Sequence, residues 1–235
     1  MSRSNDISEE VLKSKHYSQK ISVFRGRQAP ETCTLVGYGS VINALNLPVP
    51  LPAKLAVISE KHRQYQTAEW LVFTPRHTPQ DTLYGQLVFA LKYEGINLLL
   101  FKKLFETVEA SAIESFIIEE PQSQYSRKIW FMYEWLMKTR LNIPDLKEGN
   151  YVPLVDEDLQ YAISKGTNSN RHRVRNNLPG TIDFCPMISK TTKLRAYIDE
   201  NLSEKTTGLI NGVHKDILLR TSAFLLLKDS KASFN

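Results

Sequence analysis

Along the chain, short apolar runs broken by proline and glycine give way near residue 80 to apolar positions at helical spacing. A first helix is expected near Ser8, where Asp6 and Glu9 stand three apart as a capping pair ahead of Val11 and Leu12. Arg25–Glu31, with Gly26 and Pro30, reads as a loop. Leu35–Leu47 reads as a short apolar element weakened by two glycines. In Leu47-Pro48-Val49-Pro50-Leu51-Pro52 apolar residues alternate with prolines, which forbids a helix and predicts an extended surface run. Lys54–Ser59 and Ala68–Phe73 are short and rich in β-branched or aromatic residues. They read as two strands able to pair as a hairpin, the second ended by Pro75 and Pro79.

From Asp81 onward the pattern is helical. Asp81 is placed to cap a helix over Thr82–Tyr93, and Gly95 to end it. Short helices are expected over Asn97–Phe105 and Ile113–Ile118. A longer one over Ser123–Thr139 carries Ile129, Trp130, Tyr133, Leu136 and Met137 on one stripe. Pro144 and Gly149 break the pattern. Lys147–Lys190 is loop-rich, with a short helix capped by Asp156, and loops of that length are functional or braced against another element. Leu194, Ile198, Leu202, Leu209 and Ile210 then share a helix face that Gly212 should end. Ile217–Asn235 forms a last helix, apolar all round at Phe224–Leu227. The expected fold is mainly α with a minor β-hairpin. The regions are 1–80 (mixed), 81–145 (helical), 146–190 (a basic connector) and 191–235 (a helix pair).

Composition changes this picture little. The 235 residues are 42% apolar and 23% charged, as in an ordinary globular chain with a core, and the net charge of +5 permits an anionic partner without requiring one. Two isolated cysteines, Cys33 and Cys185, exclude a disulfide framework and suit a reducing compartment. The polar first ten residues lack a signal-peptide core, and Ile217–Leu227 is too short to span a bilayer. The expected location is the cytoplasm, away from membranes.

Few residue patterns in the chain point to chemistry. Gly37-Tyr38-Gly39 starts like a dinucleotide fingerprint, but Ile42 stands where the third glycine belongs, so a turn is the better reading. The five histidines, His16, His62, His77, His172 and His214, have no metal-ligand spacing. No nucleophile elbow occurs, and Asp156-Glu157-Asp158 suits a helix start. Asp81–Phe105 has helix-turn-helix spacing, but its second helix is too apolar to read base edges. No catalytic, cofactor-binding or metal-ligating residue is assigned. Two readings stand for Asn168–Asn177: Arg171, Arg173 and Arg175 grip phosphate groups, on a nucleic acid for instance, or the loop is solvated or braces a helix.

Several segments together resemble the amino-terminal half of long-form Fic proteins, a family of AMP-transferring enzymes. They are Val49–Pro52 running into Leu55–Arg63, Thr74–Leu83, Leu91–Gly95, Asn170–Gly180, Phe184–Met187 and Ala223–Phe234. The resemblance spans about Leu47 to Asn235, and its motifs mark ancestry more than chemistry. Ser233-Phe234-Asn235 resembles the first three positions of the family's inhibitory motif, whose glutamate would follow. The catalytic motif HxFx(D/E)GNGR does not occur in these residues. The resemblance implies a helical, Fic-like regulatory and target-positioning region that is inactive by itself. ATP and magnesium are expected only with a complete family member. The implied partners are a downstream or separate Fic catalytic core, met through Ile217–Asn235, and the protein target of modification. A free-standing binding protein, either an antitoxin-like partner of a separate Fic domain or a nucleic-acid-binding module, is the alternative.

Overall fold

The structure, a computed structural model, describes residues 7–200, 204, 206–208 and 214–233. It divides into two compact units, one running to Ser189 and the other beginning at Lys190. The fold is mixed α/β and helix-rich, with 43% helix and 18% strand, rather than mainly α.

The first helix, α1 (Glu9–Ser14), starts behind Ser8 as expected, and Asp6 of the expected capping pair lies outside the described residues. Gln19–Phe24 (β1) and Arg27–Val36 (β2) form an antiparallel hairpin whose turn is Arg25-Gly26, both at positive φ. The supposed loop Arg25–Glu31 is thus mostly strand. Polar residues dominate this pair because much of it is an exposed edge, and the inward positions, Phe24, Ala29, Cys33 and Leu35, are too widely spaced to announce themselves.

Leu55–Ile58 (β3) and Trp70–Phe73 (β5) are strands as expected, but they pair in parallel, Leu55 opposite Trp70 and Ile58 opposite Phe73. A hairpin is excluded because the chain between them supplies its own strand, Tyr65–Gln66 (β4), antiparallel to β5 on its outer side. The five-stranded order is β1-β2-β3-β5-β4. All four residues of β3 are buried, as a central strand requires. Side chains alternate between faces: Leu35, Leu55, Val57, Trp70 and Val72 pack with Phe24 and Cys33, whereas Val36, Ala56, Ile58 and Phe73 pack with Phe89.

Gly37–Leu45 (α2) begins directly at the end of β2, so Gly37-Tyr38-Gly39 is a helix start rather than a turn. The Leu47–Pro52 run is non-helical, with Leu47 and Val49 buried and Pro48 and Pro50 exposed. Leu83–Tyr93 (α3) is capped not by Asp81 but by Thr82, whose hydroxyl accepts from the Gly85 N–H at 3.0 Å. Asp81 reaches back instead. Its Oδ1 accepts the N–H groups of Tyr17 (2.8 Å) and Ser18 (2.7 Å), tying the start of β1 to the start of α3. Gly95, at positive φ, follows the C-cap and donates to the Ala90 carbonyl.

Leu98–Thr107 (α4), capped by Asn97, Ala110–Glu119 (α5) and Gln124–Met137 (α6) complete the helical layer. One large core joins α1 to α6 with Leu154, Val155, Val174 and Leu178 of the loop-rich region, so residues before 80, from 81 to 145 and beyond 146 share a single interior. Within that region Val152–Pro153 (β6), Thr167–Ser169 (β7) and Val174–Asn176 (β8) make a small sheet in the order β6-β8-β7. Asp156 opens one hydrogen-bonded turn, to Leu159 and Gln160, rather than a helix.

In the second unit Thr192–Asp199 (α7) is capped by Thr191. Leu202, Leu209, Ile210 and Gly212 lie outside the described residues. The last helix is Lys215–Ser233, and Phe234 and Asn235 lie beyond the described residues.

Candidate functional site

The arginine-rich segment is the tight turn between β7 and β8 together with β8 itself, packed against α6. Its three arginines do not project together. Arg171 points inward, its side chain only 11% exposed, with its guanidinium 4.6 Å from the Trp130 ring centre. Its Nε and Nη2 donate to the Glu134 carboxylate at 3.1 and 2.8 Å. Nη1 donates to the Ile143 carbonyl and to Asp145, and Nη2 also to the Leu141 carbonyl. Arg173, at positive φ, lies against the Tyr151 ring and donates to the Tyr151 hydroxyl and the Lys147 carbonyl. Arg175 is exposed on β8. The donors a phosphate would need on Arg171 are therefore engaged by carboxylates and carbonyls.

Glu134 is the centre of this cluster. Its carboxylate also accepts from the Trp130 indole N–H (2.9 Å), the Leu141 N–H (3.0 Å) and His172 Nε2 (3.0 Å). Burial opposes its charge, but the bonds from Arg171, Trp130 and Leu141 outweigh that and hold it below the usual carboxylate range. Sequence reasoning misses Glu134, because a lone carboxylate one turn beyond Trp130 looks like a solvated helix position. The arginine loop and its acidic partner lie 37 residues apart.

His172 is buried, and its Nδ1 lies 2.7 Å from Ser169 Oγ. Because Glu134 accepts at Nε2, Nδ1 must accept from the serine hydroxyl. That polarity, hydroxyl to imidazole to carboxylate, has the order of a nucleophile triad. The electrostatics are those of a brace. Burial first, with Arg171 contributing, lowers His172 to about 4, the opposite of what a base receiving the serine proton requires. Cys33 is likewise unreactive, since burial pushes its thiol up to about 11. Among the described residues no group of three or more His, Cys, Asp or Glu could hold a metal ion, and no helix is long and apolar enough to cross a membrane.

The last helix presents a different kind of surface. Ile217, Leu219, Phe224, Leu225, Leu226 and Leu227 are all at least half exposed, Phe224 at 65% and Leu226 at 69%. Successive helical residues are about 100° apart. The four consecutive residues Phe224–Leu227 therefore cover the whole circumference with large apolar groups. Such a helix is built for an interior.

No known protein family, curated protein or solved structure matches this chain.

Proposed function

We propose that the chain is the regulatory and target-positioning portion of a Fic-type protein adenylyltransferase, in which AMP passes from ATP to a protein hydroxyl. It performs no catalysis itself. The observation that carries this reading is the last helix, whose exposed Phe224–Leu227 girdle calls for helical cover on every side. The same residues belong to Ala223–Phe234, the segment that resembles the lead-in to the family's inhibitory helix. A catalytic core packed around this helix would place the inhibitory segment beside the nucleotide site, with ATP and magnesium bound by the core.

Mixing this chain with a purified Fic catalytic core, magnesium and ATP labelled at the α-phosphate tests the proposal. The chain alone should transfer no AMP. It should co-migrate with the core, and Phe224→Asp with Leu226→Asp should abolish that complex. Labelled product from the chain alone, or a complex indifferent to the double substitution, would sink the reading.

A further inference from the structure

Beside the sheet, the 3-10 turn Pro75–His77, one face of α3 and the junction between α5 and α6 line an open cavity of about 340 Å³. That is the small end of the range of about 300–1,000 Å³ typical of ligand pockets, room for one compact molecule rather than a peptide. Its wall is aromatic. Tyr84, Phe89, Tyr93 and Tyr125 line it. Phe89, Tyr93 and His77 brace one another, with ring centres 4.8 Å apart for Phe89–Tyr93 and 5.6 Å for His77–Tyr93. Their packing continues into the buried Phe73 of β5, so these rings are fixed rather than adaptable.

Two cations and one carboxylate stand in the cavity lining. Arg76 and Lys92 both line it, both are exposed, and among the described residues neither enters an ion pair. Lys92 Nζ stands 5.1 Å from the centre of the Tyr93 ring, so an anion paired with Lys92 sits next to an aromatic surface. The carboxylate in the lining, Glu120, accepts from the Tyr84 hydroxyl at 3.0 Å. That hydroxyl also lies 3.1 Å from Ser123 Oγ and 2.7 Å from Ser126 Oγ. Glu120 is thus held in a hydroxyl network, whereas among the described residues Arg76 and Lys92 carry no carboxylate partner, Lys92 bonding only to the neighbouring Tyr93.

We infer that this cavity binds a small planar anion, its ring against the tyrosines and its phosphate or carboxylate paired with Arg76 and Lys92. The inference is independent of the reading of the last helix, which lies in the other unit. Ring and charge act together here. The ring supplies burial against fixed aromatic groups, and the guanidinium offers a fork that suits an oxyanion.

Titration calorimetry on the whole chain tests it, with AMP and phenyl phosphate as probes and adenosine and inorganic phosphate as controls. At least one ring-bearing phosphate should bind saturably, at least about tenfold more tightly than either control, a difference of about 1.4 kcal/mol. Arg76→Ala with Lys92→Ala should weaken it by about tenfold or more, while Arg76→Lys with Lys92→Arg should retain most of the affinity. Thermal melting of both double variants should match the parent, since both side chains are exposed. Absence of binding by both probes at millimolar concentration would overturn the inference. So would a control that binds as tightly as the probes, or a charge-deleted variant that binds as well as the parent.

Discussion

Two buried titratable groups make stability depend on pH in opposite senses. Glu94 Oε1 accepts the Tyr38 N–H at 2.9 Å at the start of α2, while Oε2 is buried without a partner. Part of the residue reaches the surface, but the carboxyl itself does not, and burial raises it from 4.5 to about 8 against the opposing Tyr38 bond. The fold therefore prefers the protonated acid. Its contribution is complete below pH 4.5 and is lost as pH climbs through about 8, at most about 5 kcal/mol over that span. His172 works the other way. Lowered from 6.5 to about 4 by burial, it is preferred neutral, so its contribution is present above pH 6.5 and is lost as pH falls toward 4. Urea denaturation of Glu94→Gln should show stability flat between pH 6.5 and 8, where the parent declines, with an acid-side loss remaining below 6.5. A decline in the variant equal to the parent's would remove Glu94 as the cause. None of this was legible in the sequence, where Glu94 sits at a helix end like any solvated carboxylate. The N–H that meets its Oε1 belongs to Tyr38, 56 residues away.

The ion pair between Arg171 and Glu134 is also a residue-scale matter, and it separates the two readings of the arginine loop. Removing Arg171 leaves the largely buried Glu134 carboxylate without a cationic partner. Arg171→Met should therefore destabilise the first unit by about 3–5 kcal/mol, and adding Glu134→Gln should recover a substantial part. Denaturation midpoints of the two singles and the double give the coupling. Additive losses would mean that the pair does not brace α6 against the β7–β8 turn.

At the scale of elements, helices were easier to read than strands for a definite reason. The stripe Ile129, Trp130 and Tyr133 of α6 is a local pattern, whereas the caps fell at Thr82 and Asn97, one residue from Asp81 and inside the expected Asn97–Phe105 helix. The β1–β2 hairpin has one mostly wet face, so its alternation is dilute, and the pairing of β3 with β5 is decided by β4, two residues long. Asp81 shows the same limit. Its position before a helix is local information, but its bonds to Tyr17 and Ser18 are not. Two N–H groups accepted by one carboxylate are worth about 1.5–3 kcal/mol each. Asp81→Ala should accordingly cost more than Thr82→Ala, whose cap is worth about 1 kcal/mol. Equal losses in thermal melts would return the capping role to Asp81.

For the whole molecule, the first unit closes its own core from α1 to Leu178, whereas the last helix shows its apolar girdle to solvent. Free in solution the chain should self-associate through that helix. Phe224→Asp with Leu226→Asp should restore a monomer in analytical ultracentrifugation without changing the unfolding of the first unit. Self-association unchanged by the pair would place the contact elsewhere. The girdle was readable because four apolar residues in succession exceed any single helix face. The cavity beside α3 was not, because its lining comes from three separate stretches between Arg76 and Tyr125.

The most direct measurement of the central claim is the coding sequence around these codons, together with the intact mass of the native protein. If the proposed function holds, an HxFx(D/E)GNGR motif stands either in the same frame beyond Asn235 or in an adjoining gene whose product binds the last helix. A native protein with that motif neither in its own frame nor in a neighbouring one would contradict the proposal of an AMP-transferring system.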